Sequence, residues 1–340
     1  MKARDNLYRQ AVDLIQDQKP FVMAVVVAKS GSTPQAPGAK GLFALDGRVF
    51  GTIGGGCLEA ECRRIGLELS SDDPPRQIEL QLDGDFGWDD GLICGGRAHI
   101  LIDPAPQKHL EAFTKAVEAT HPGALIWRME EGELTVEWLQ QPEAGIAFDA
   151  LFDRRERYEA RPDGFVYAEP VLPRERLVIF GAGHVGAAIA RFASLLDFEV
   201  IITDDRPTFA SSERLPFADR VILGDPVETA KSLQYDPDTF VTLVTRGHRN
   251  DAQVLRELIH HPVAYLGMIG SRRKAEVMKR RFLEEGVCDE AAFDRVRSPM
   301  GLDIGSETVE EIALSIVAEL AQVRASRRSP RRAYARPIKP

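Results

Sequence analysis

The feature that most constrains the fold is a strand, a glycine-rich turn and a helix in direct succession near the middle of the chain. Residues 177–180 form a short apolar run typical of a buried strand, and the sequence Gly-Ala-Gly-His-Val-Gly follows at 181–186. A helical pattern then covers residues 187–196. A lone GxGxxG pattern is weak evidence, but between a strand and a helix it predicts a dinucleotide-type α/β fold.

The glycines and an acidic pair define the chemistry expected of this turn. Gly181 permits the tight turn, Gly183 lets a phosphate approach the backbone, and Gly186 lets the helix pack on the strand. The next predicted strand ends at Asp204 and Asp205, about 20 residues further on, where a carboxylate would accept hydrogen bonds from ribose hydroxyls. This part of the chain is therefore predicted to be Rossmann-like, with a doubly wound parallel sheet and an NAD(P)-type site.

Three more strand patterns continue the alternation of strands and helices, over residues 220–223, 240–245 and 264–269. Ligands in open α/β sheets bind beyond the carboxyl ends of the strands, so polar residues that follow the strands are candidate ligand contacts. Helix capping and solvated surface charge are the alternative explanation for the same residues. The candidates are His184, Arg246, His248, Ser271, Arg272 and Lys274.

A second unusual stretch, Gly-Thr-Ile-Gly-Gly-Gly-Cys-Leu-Glu at 51–59, places a thiol between a glycine run and an amphipathic helix. Glycine lets backbone N–H groups approach a ligand closely, and a helix N-terminus favours anions. The same environment lowers the pKa of a cysteine toward a reactive thiolate. We therefore predict a site formed by Thr52, Gly54, Gly55, Gly56, Cys57 and Glu59.

A matching unit, Cys94-Gly95-Gly96, follows an acidic loop over residues 83–91. The acids of that loop lack the full spacing of a calcium-binding loop and its distal glutamate, so they are interpreted as turn formers. Two glycine-flanked cysteines in one small domain favour a shared site. Two tight turns with incidental small thiols are the alternative.

Composition excludes several classes of function. The 340 residues carry a net charge of −9, which argues against a nucleic-acid partner. No apolar run approaches the ~20 residues of a membrane helix, and the first residues lead into a polar amphipathic segment and not a signal peptide. Four cysteines without an export signal are interpreted as reduced thiols of a cytoplasmic protein. Cys62 is predicted in the core, and no role is assigned to Cys288.

The chain is predicted to divide into four parts. Residues 1–106 form a mixed α/β domain that carries both glycine–cysteine motifs. Residues 107–173 are interpreted as a peripheral extension and linker, and residues 174–323 as the Rossmann-like domain. The cluster of arginines in residues 324–340 predicts a disordered basic tail.

The loop between residues 30 and 40 is a further candidate segment of the first domain. It contains two prolines, several hydroxyl side chains and Lys40. The hydroxyls and Lys40 are suited to an anionic ligand, and a surface connector is the alternative.

Together these motifs resemble the XdhC/CoxI family of xanthine dehydrogenase accessory factors, and the similarity covers most of the chain. The glycine–cysteine motif and a late Gly-Leu-Asp-Ile-Gly motif are its specific features, whereas the Rossmann glycines alone would not be. The segments that carry the resemblance are 31–34, 38–40, 51–59, 94–96, 181–186, 265–274, 301–305 and 310–316.

The resemblance implies a chaperone that binds molybdenum cofactor, protects it during sulfuration and inserts it into a xanthine dehydrogenase-type molybdoenzyme. That molybdoenzyme and a cysteine desulfurase are the implied partners, and a homodimer is the implied assembly. Cys57 and Cys94 would then ligate molybdenum or relay a persulfide, since a soft thiolate suits both tasks. Glu59 would fix the site by hydrogen bonding or complement the helix N-terminus. Gln35 stands where the family often has arginine, which weakens the prediction that this loop binds a phosphate through charge.

Our hypothesis is a two-domain chaperone with its ligand in the cleft between the domains, where pockets often form. Two other classes of function stay open. An NAD(P)-dependent oxidoreductase would use the glycine turn, Asp204 and either His184 or His248 as acid or base. A nucleotide-sensing regulatory module would bind its ligand without turnover and without molybdenum.

Overall fold

The computed structural model describes residues 7–81 and 96–327, apart from the side chains of Cys57, His248 and Arg249. The chain divides after Pro173 into two compact units, which we call the N-terminal unit and the C-terminal unit. Within the described ranges, no helix combines the length and the apolar character needed to cross a membrane.

The N-terminal unit combines helices with two antiparallel sheets. Its elements in chain order are α1 (Leu7–Gln16), β1 (Phe21–Ser30), β2 (Lys40–Ala44), β3 (Val49–Gly51), α2 (Gly56–Glu68), β4 (Arg76–Gln81), β5 (Arg97–Asp103), a 3-10 helix (Pro106–His109), α3 (Leu110–Glu118), β6 (Gly123–Glu130), β7 (Glu133–Gln140), α4 (Gly145–Phe152), β8 (Arg157–Arg161) and β9 (Gly164–Val171). Over the described residues, the first sheet has the strand order β3-β2-β1-β5-β4 and the second has the order β7-β6-β9-β8.

Strand β1 is buried on both faces, which explains its unbroken apolar run. Met23 and Val25 pack in a core with α1, α3 and the second sheet. Val22 and Ala24 pack in a separate core with α2. Because successive side chains of a strand point to opposite faces, the first sheet lies between α2 on one side and the second sheet with α1 and α3 on the other.

Residues 107–173 differ from the predicted peripheral extension and linker. Trp127 of β6 and Tyr167 of β9 are fully buried in the same core as Met23 of β1, so this segment is an integral layer of the N-terminal unit. Its prolines suggest a linker when read from sequence alone. Pro170, however, lies in β9 beyond the last residue that pairs with β8, where a strand tolerates a missing N–H.

The C-terminal unit is built on one parallel sheet with helices on both faces. Its elements in chain order are β10 (Arg176–Phe180), α5 (His184–Leu195), β11 (Glu199–Asp204), β12 (Arg220–Leu223), α6 (Pro226–Ser232), β13 (Thr239–Leu243), α7 (His248–Leu258), β14 (Tyr265–Met268), α8 (Arg272–Glu284), α9 (Glu290–Asp294), β15 (Val296–Arg297) and α10 (Val309–Arg327). The strand order β12-β11-β10-β13-β14-β15 is the Rossmann order, with the switch point between β10 and β13. The predicted fold class is confirmed.

Two apolar layers hold the helices to this sheet. Leu177 and Ile179 of β10 pack with α5 and α10, whereas Val178 and Phe180 pack with the helices of the opposite face. The continuous apolar character of β10 is the pattern expected of a parallel strand that is covered on both sides.

Helix α10 corrects the predicted start of the basic tail. It continues to Arg327, and Arg324 forms an ion pair with Glu175. Arg327 bridges Glu175 and Asp238. These pairs tie the last turn of α10 to the segment that enters β10, a contact that the basic composition of the tail does not reveal. Residues 328–340 lie outside the described part of the chain.

Candidate functional site

Three segments of the N-terminal unit meet at one end of its first sheet. Strands β1, β3 and β4 run toward this end and β2 and β5 start from it, because all neighbouring pairs are antiparallel. We call it the Gly–Cys end and define it by residues 31–39, 52–57 and 96. Cys94 and Gly95 of the second predicted motif lie outside the described residues, as does the acidic loop before them.

Close packing at two glycines fixes these segments against one another. A Cβ added to Gly96 would lie less than 3.0 Å from backbone atoms of Ser30 and Ser32. One added to Gly54, which has a φ of 131°, would lie 3.0 Å from Pro34. The loop at 31–39 therefore contacts Gly54 of the first glycine–cysteine motif, and Gly96, the described residue of the second motif, packs against Ser30 and Ser32 at the same end of the sheet.

Glu59 holds the glycine loop in place through a single carboxylate oxygen. Its Oε1 accepts hydrogen bonds from Thr52 Oγ1 at 2.5 Å, from the Ile53 amide at 3.2 Å and from the Gly55 amide at 3.1 Å. Thr52 Oγ1 in turn accepts a hydrogen bond from the Gly54 amide. Glu59 is thus a positioning residue for the loop, and its predicted role at a ligand site stays a prediction.

The first turn of α2 is open among the described residues. None of their side chains caps the helix, and a Cβ added to Gly55 or Gly56 would have none of their heavy atoms within 4 Å. Backbone N–H groups at such an end have no partner within the helix and favour an anion. Cys57 is the second residue of α2, and its side chain lies outside the described residues.

Cys62, one helical turn after the reactive candidate, has a structural role. Its side chain is fully buried in the core between α2 and the first sheet. Burial, reinforced by the nearby carboxylates of Glu61 and Glu59, raises the pKa of the Cys62 thiol to about 12. The thiol is therefore protonated at neutral pH, and its predicted place in the core is confirmed.

Lys40 is paired inside the unit, contrary to the prediction that it contacts an anionic ligand. Its side chain is 6% exposed, and its ammonium group donates to Glu169 Oε1 at 2.6 Å and to the Gly38 carbonyl at 2.7 Å. The hydroxyl of Tyr8 donates to the second oxygen of Glu169 at 2.6 Å. Burial and the charge of Glu169 raise the pKa of Tyr8, so this hydroxyl stays a donor. Lys40 is charged but neutralised inside the unit, beneath the loop at 31–39.

The three glycines of the turn at 181–186 have different surroundings. Gly181 has a φ of 113° and approaches the carbonyl of Val244, and a Cβ added to Gly186 would lie less than 3.0 Å from the Gly181 oxygen. A Cβ added to Gly183 would meet no heavy atom of the described residues within 4 Å. Packing therefore requires Gly181 and Gly186, whereas the space beside Gly183 is open.

We expect Gly186→Ala to lower the free energy of unfolding by about 3 kcal/mol, because the added methyl group meets backbone that cannot yield. Gly183→Ala, at a φ of −62°, is expected to cost less than about 1 kcal/mol. Urea denaturation of the full chain, followed by circular dichroism, measures both. Equal losses for the two variants would contradict the assignment of Gly186 as the packing glycine.

Asp204 is engaged within the C-terminal unit. It is 4% exposed, and its carboxylate accepts a hydrogen bond from the Ala182 amide at 2.8 Å and forms an ion pair with Arg206. Burial alone would raise the pKa of Asp204, but the hydrogen bonds from Arg206 and Ala182 outweigh it and lower this pKa to about 2. Asp205, the second predicted acid, is half exposed and lies 3.9 Å from the Arg206 Nε.

Three residues at this edge were missed by sequence reasoning. The Arg206 guanidinium stacks on the ring of Phe209 at 3.7 Å, and that of Arg214 lies 4.6 Å from the same ring. Arg214 also donates to the carbonyl oxygen of Ala182. An arginine two residues after Asp204 is a visible signal of an ion pair, but nothing in the sequence spacing indicates the role of Arg214.

Lys274 and Ser271 support the edge of the sheet from within. Lys274 Nζ donates to Asp251 Oδ2 at 2.6 Å and to the Ile269 carbonyl at 2.8 Å, and Asp251 is 1% exposed. Thr245 Oγ1 donates to the other oxygen of Asp251 at 2.5 Å. The Ser271 hydroxyl caps α8 by accepting a hydrogen bond from the Lys274 amide. Ser271 caps a helix, which is the alternative weighed for it, whereas Lys274 is paired inside the unit and is not the solvated surface charge of that alternative.

Three other predicted contacts, His184, Arg246 and Arg272, are exposed and follow strands of the sheet at their carboxyl ends. His184 is the first residue of α5, and Arg272 is the first residue of α8. Arg246 is exposed and lines a narrow cleft together with Gly181, Asp204, Asp205, Arg206 and Asn250. The backbone of His248 begins α7, and its side chain is outside the described residues. No group of three or more His, Cys, Asp or Glu side chains is arranged to hold a metal ion in the part of the chain that the structure describes.

The fold and the candidate site define a class of two-unit proteins. One unit is of the Rossmann type, and the other carries a glycine–cysteine motif at the end of an antiparallel sheet. Two family models match the chain, the "XdhC and CoxI family" over residues 14–81 and the "XdhC Rossmann domain" over residues 177–320. Together the two matched ranges span more than half of the chain. The chain belongs to the XdhC and CoxI family, and the predicted resemblance is confirmed.

Relatives match nearly the whole length of the chain. A protein of Bacillus subtilis described as a probable subunit of xanthine dehydrogenase is 28% identical, over 94% of this chain and 98% of the relative. The molybdenum cofactor insertion chaperone PaoD of Escherichia coli is 25% identical, over 94% of this chain and 88% of its own. A crystal structure described as a xanthine dehydrogenase from Bacillus halodurans matches with a TM-score of 0.77 and 25% identity, and covers 97% of this chain and 98% of its own.

Proposed function

We propose that this protein is a maturation factor for a xanthine dehydrogenase-type molybdoenzyme. It binds molybdenum cofactor as cargo at the Gly–Cys end, keeps it protected while its terminal sulfur ligand is installed, and delivers it to the apoenzyme. A cysteine desulfurase is the proposed sulfur donor. The name of the Escherichia coli relative, a molybdenum cofactor insertion chaperone, supports this proposal.

The observation that carries the proposal is the open first turn of α2 at the Gly–Cys end. Glu59 accepts hydrogen bonds from the amides of Ile53 and Gly55, and no side chain in the described part of the chain caps the helix. The amides of the first helical turn therefore have no side-chain acceptor there, and no described residue fills the space beside Gly55 and Gly56. A rigid group of N–H donors in an open region is suited to an anionic ligand.

These residues fit the chemistry of the proposed cargo. Molybdenum cofactor carries a phosphate, which matches the amide donors, and a molybdenum–dithiolene centre, which matches a soft thiolate ligand. Cys57 lies on the same turn of α2, where the helix N-terminus favours a thiolate. We assign Cys57 to the retention of molybdenum or of a transferred sulfur, and Cys94 to the same site through the packing of Gly96 against the loop at 31–39.

The test is the amount of molybdenum that the purified protein retains after anaerobic loading with molybdenum cofactor. We expect near-stoichiometric molybdenum per wild-type chain and a loss of about half or more for Cys57→Ala, because the thiolate is the soft ligand of the site. Cys288→Ala is the matched control, since this thiol lies in the C-terminal unit and is partly exposed. Elemental analysis and far-ultraviolet circular dichroism give the metal content and the folded fraction.

Two results would decide against parts of this proposal. If folded wild-type protein retains no molybdenum, the chaperone function at the Gly–Cys end is refuted. If Cys57→Ala retains as much molybdenum as wild type and also activates the apoenzyme equally well, Cys57 has no part in the function.

A further inference from the structure

The Rossmann-type fold implies a nicotinamide dinucleotide, and this expectation is testable against the residues of the C-terminal unit. In dinucleotide-binding domains of this fold, a carboxylate at the end of the second strand accepts hydrogen bonds from the ribose hydroxyls. Asp204, the last residue of β11, occupies that place. A ribose needs at least one free oxygen of this carboxylate.

Asp204 has no free acceptor position. An ionised carboxylate offers about four lone-pair sites, two on each oxygen. Oδ1 accepts from the backbone amide of Arg206 at 3.0 Å and from its Nε at 2.8 Å. Oδ2 accepts from the Ala182 amide at 2.8 Å and from the Arg206 Nη2 at 2.9 Å. The four donors that saturate the group belong to only two residues.

The guanidinium of Arg206 lies where the ribose hydroxyls would bind, and it is itself held there. It stacks on Phe209, whose carbonyl oxygen accepts a hydrogen bond from Arg214 at 3.3 Å. Arg214 also donates to the Ala182 carbonyl, so Ala182 is bound through its N–H by Asp204 and through its oxygen by Arg214. The glycine turn and the arginine are therefore fixed by one shared set of contacts.

NAD(H) does not match these contacts. Its free ribose diol must displace Arg206 to reach Asp204. The 2′-phosphate of NADP(H) is a different case, because a nearby arginine is the residue that accommodates it in this fold. Asp205 lines the same cleft, but it too faces Arg206.

We infer that the C-terminal unit does not take up NAD(H), because Arg206 is a built-in occupant of the ribose position. The unit keeps the Rossmann architecture, but the acceptor that would bind the ribose hydroxyls of NAD(H) is closed by the chain itself. This inference stands apart from the proposed cargo function and removes the structural basis for an NAD-dependent oxidoreductase.

The experiment is a titration of the full-length protein with NADH, followed by nucleotide fluorescence. For wild type we expect no saturable binding up to about 1 mM, the upper end of ordinary KM values. In Arg206→Ala and Arg206→Gln, which free the carboxylate, we expect NADH affinity to rise by about tenfold or more. Arg191→Ala, an exposed arginine of α5, is the control and should behave as wild type.

Saturable binding of NADH to the wild-type protein below about 1 mM would overturn the inference. So would folded Arg206 variants that gain no NADH affinity, because Arg206 would then not be the group that closes the site. Thermal unfolding of each variant shows whether it is folded. If neither Arg206 variant folds, the wild-type titration decides alone.

Discussion

Replacing Lys40 by methionine is expected to lower the free energy of unfolding by about 3–5 kcal/mol, the usual cost of removing one partner from a buried ion pair. In the variant, the Tyr8 hydroxyl is the hydrogen-bond donor that the described residues still offer to the Glu169 carboxylate. The Glu169 side chain is 13% exposed. A buried charge without its partner is strongly unfavourable. Chemical denaturation of the full chain, with the N-terminal unit followed by near-ultraviolet circular dichroism of its buried Trp127, measures the loss.

An exposed ion pair of the same unit supplies the control for Lys40. Lys115 pairs with Glu111 at 2.6 Å on the solvent-facing side of α3, and Lys115→Met is expected to cost less than about 1 kcal/mol. Adding Glu169→Gln to Lys40→Met removes the stranded charge and should restore a large part of the stability. A double variant no more stable than Lys40→Met would show that packing, and not charge, accounts for the loss.

Glu59→Ala is expected to lower molybdenum cofactor affinity by about tenfold to a hundredfold. Each hydrogen bond to a charged group contributes about 1.5–3 kcal/mol, and 1.4 kcal/mol corresponds to a factor of ten in affinity. Three groups of the glycine loop donate hydrogen bonds to one oxygen of Glu59. Without the Glu59 carboxylate the loop can leave its present conformation, and the first turn of α2 would then no longer stay open. Molybdenum retention over a range of cofactor concentrations gives the affinity.

Conservative replacement separates the positioning role of Glu59 from a direct one. Glu59→Gln keeps an acceptor oxygen at the same reach, so it should stay within about threefold of wild type, given the weaker bond to a neutral acceptor. Glu61→Ala is the matched control on the same helix, because Glu61 is exposed and pairs with Arg64. If Glu59→Gln loses as much affinity as Glu59→Ala, the charge of Glu59 acts on the ligand itself.

The sequence predicted those features of the fold that depend on local pattern. The Rossmann order follows from strands that alternate with helices, and it was predictable from the turn at 181–186 and the strand patterns after it. Residues 107–173 were misinterpreted because their prolines resemble those of a linker. Their place in the core depends on contacts between Trp127 and residues of β1 and α1, which no local pattern encodes.

The candidate site was predictable in outline but not in its connections. The glycine–cysteine stretch and Glu59 stand out in sequence, and chain topology places them at one end of a sheet. Charged residues were harder to assign, since a lysine or aspartate beside a glycine motif suggests a ligand contact equally well when it forms an internal pair. Lys40 and Lys274 are neutralised by partners that are distant in sequence, whereas Asp204 pairs with Arg206, only two residues further on.

Under the proposed function, the way the Gly–Cys end is assembled makes the ligand-bound protein more stable against unfolding than the ligand-free protein. Its segments come together only when Ser30 of β1 pairs with Arg97 of β5, so a chain that has not completed this sheet offers no site. A ligand that binds only the finished fold stabilises it, by about 2.7 kcal/mol at a hundredfold excess over its dissociation constant. In a cell, the chain that carries its ligand would then resist proteolysis, while unloaded copies would be cleared first.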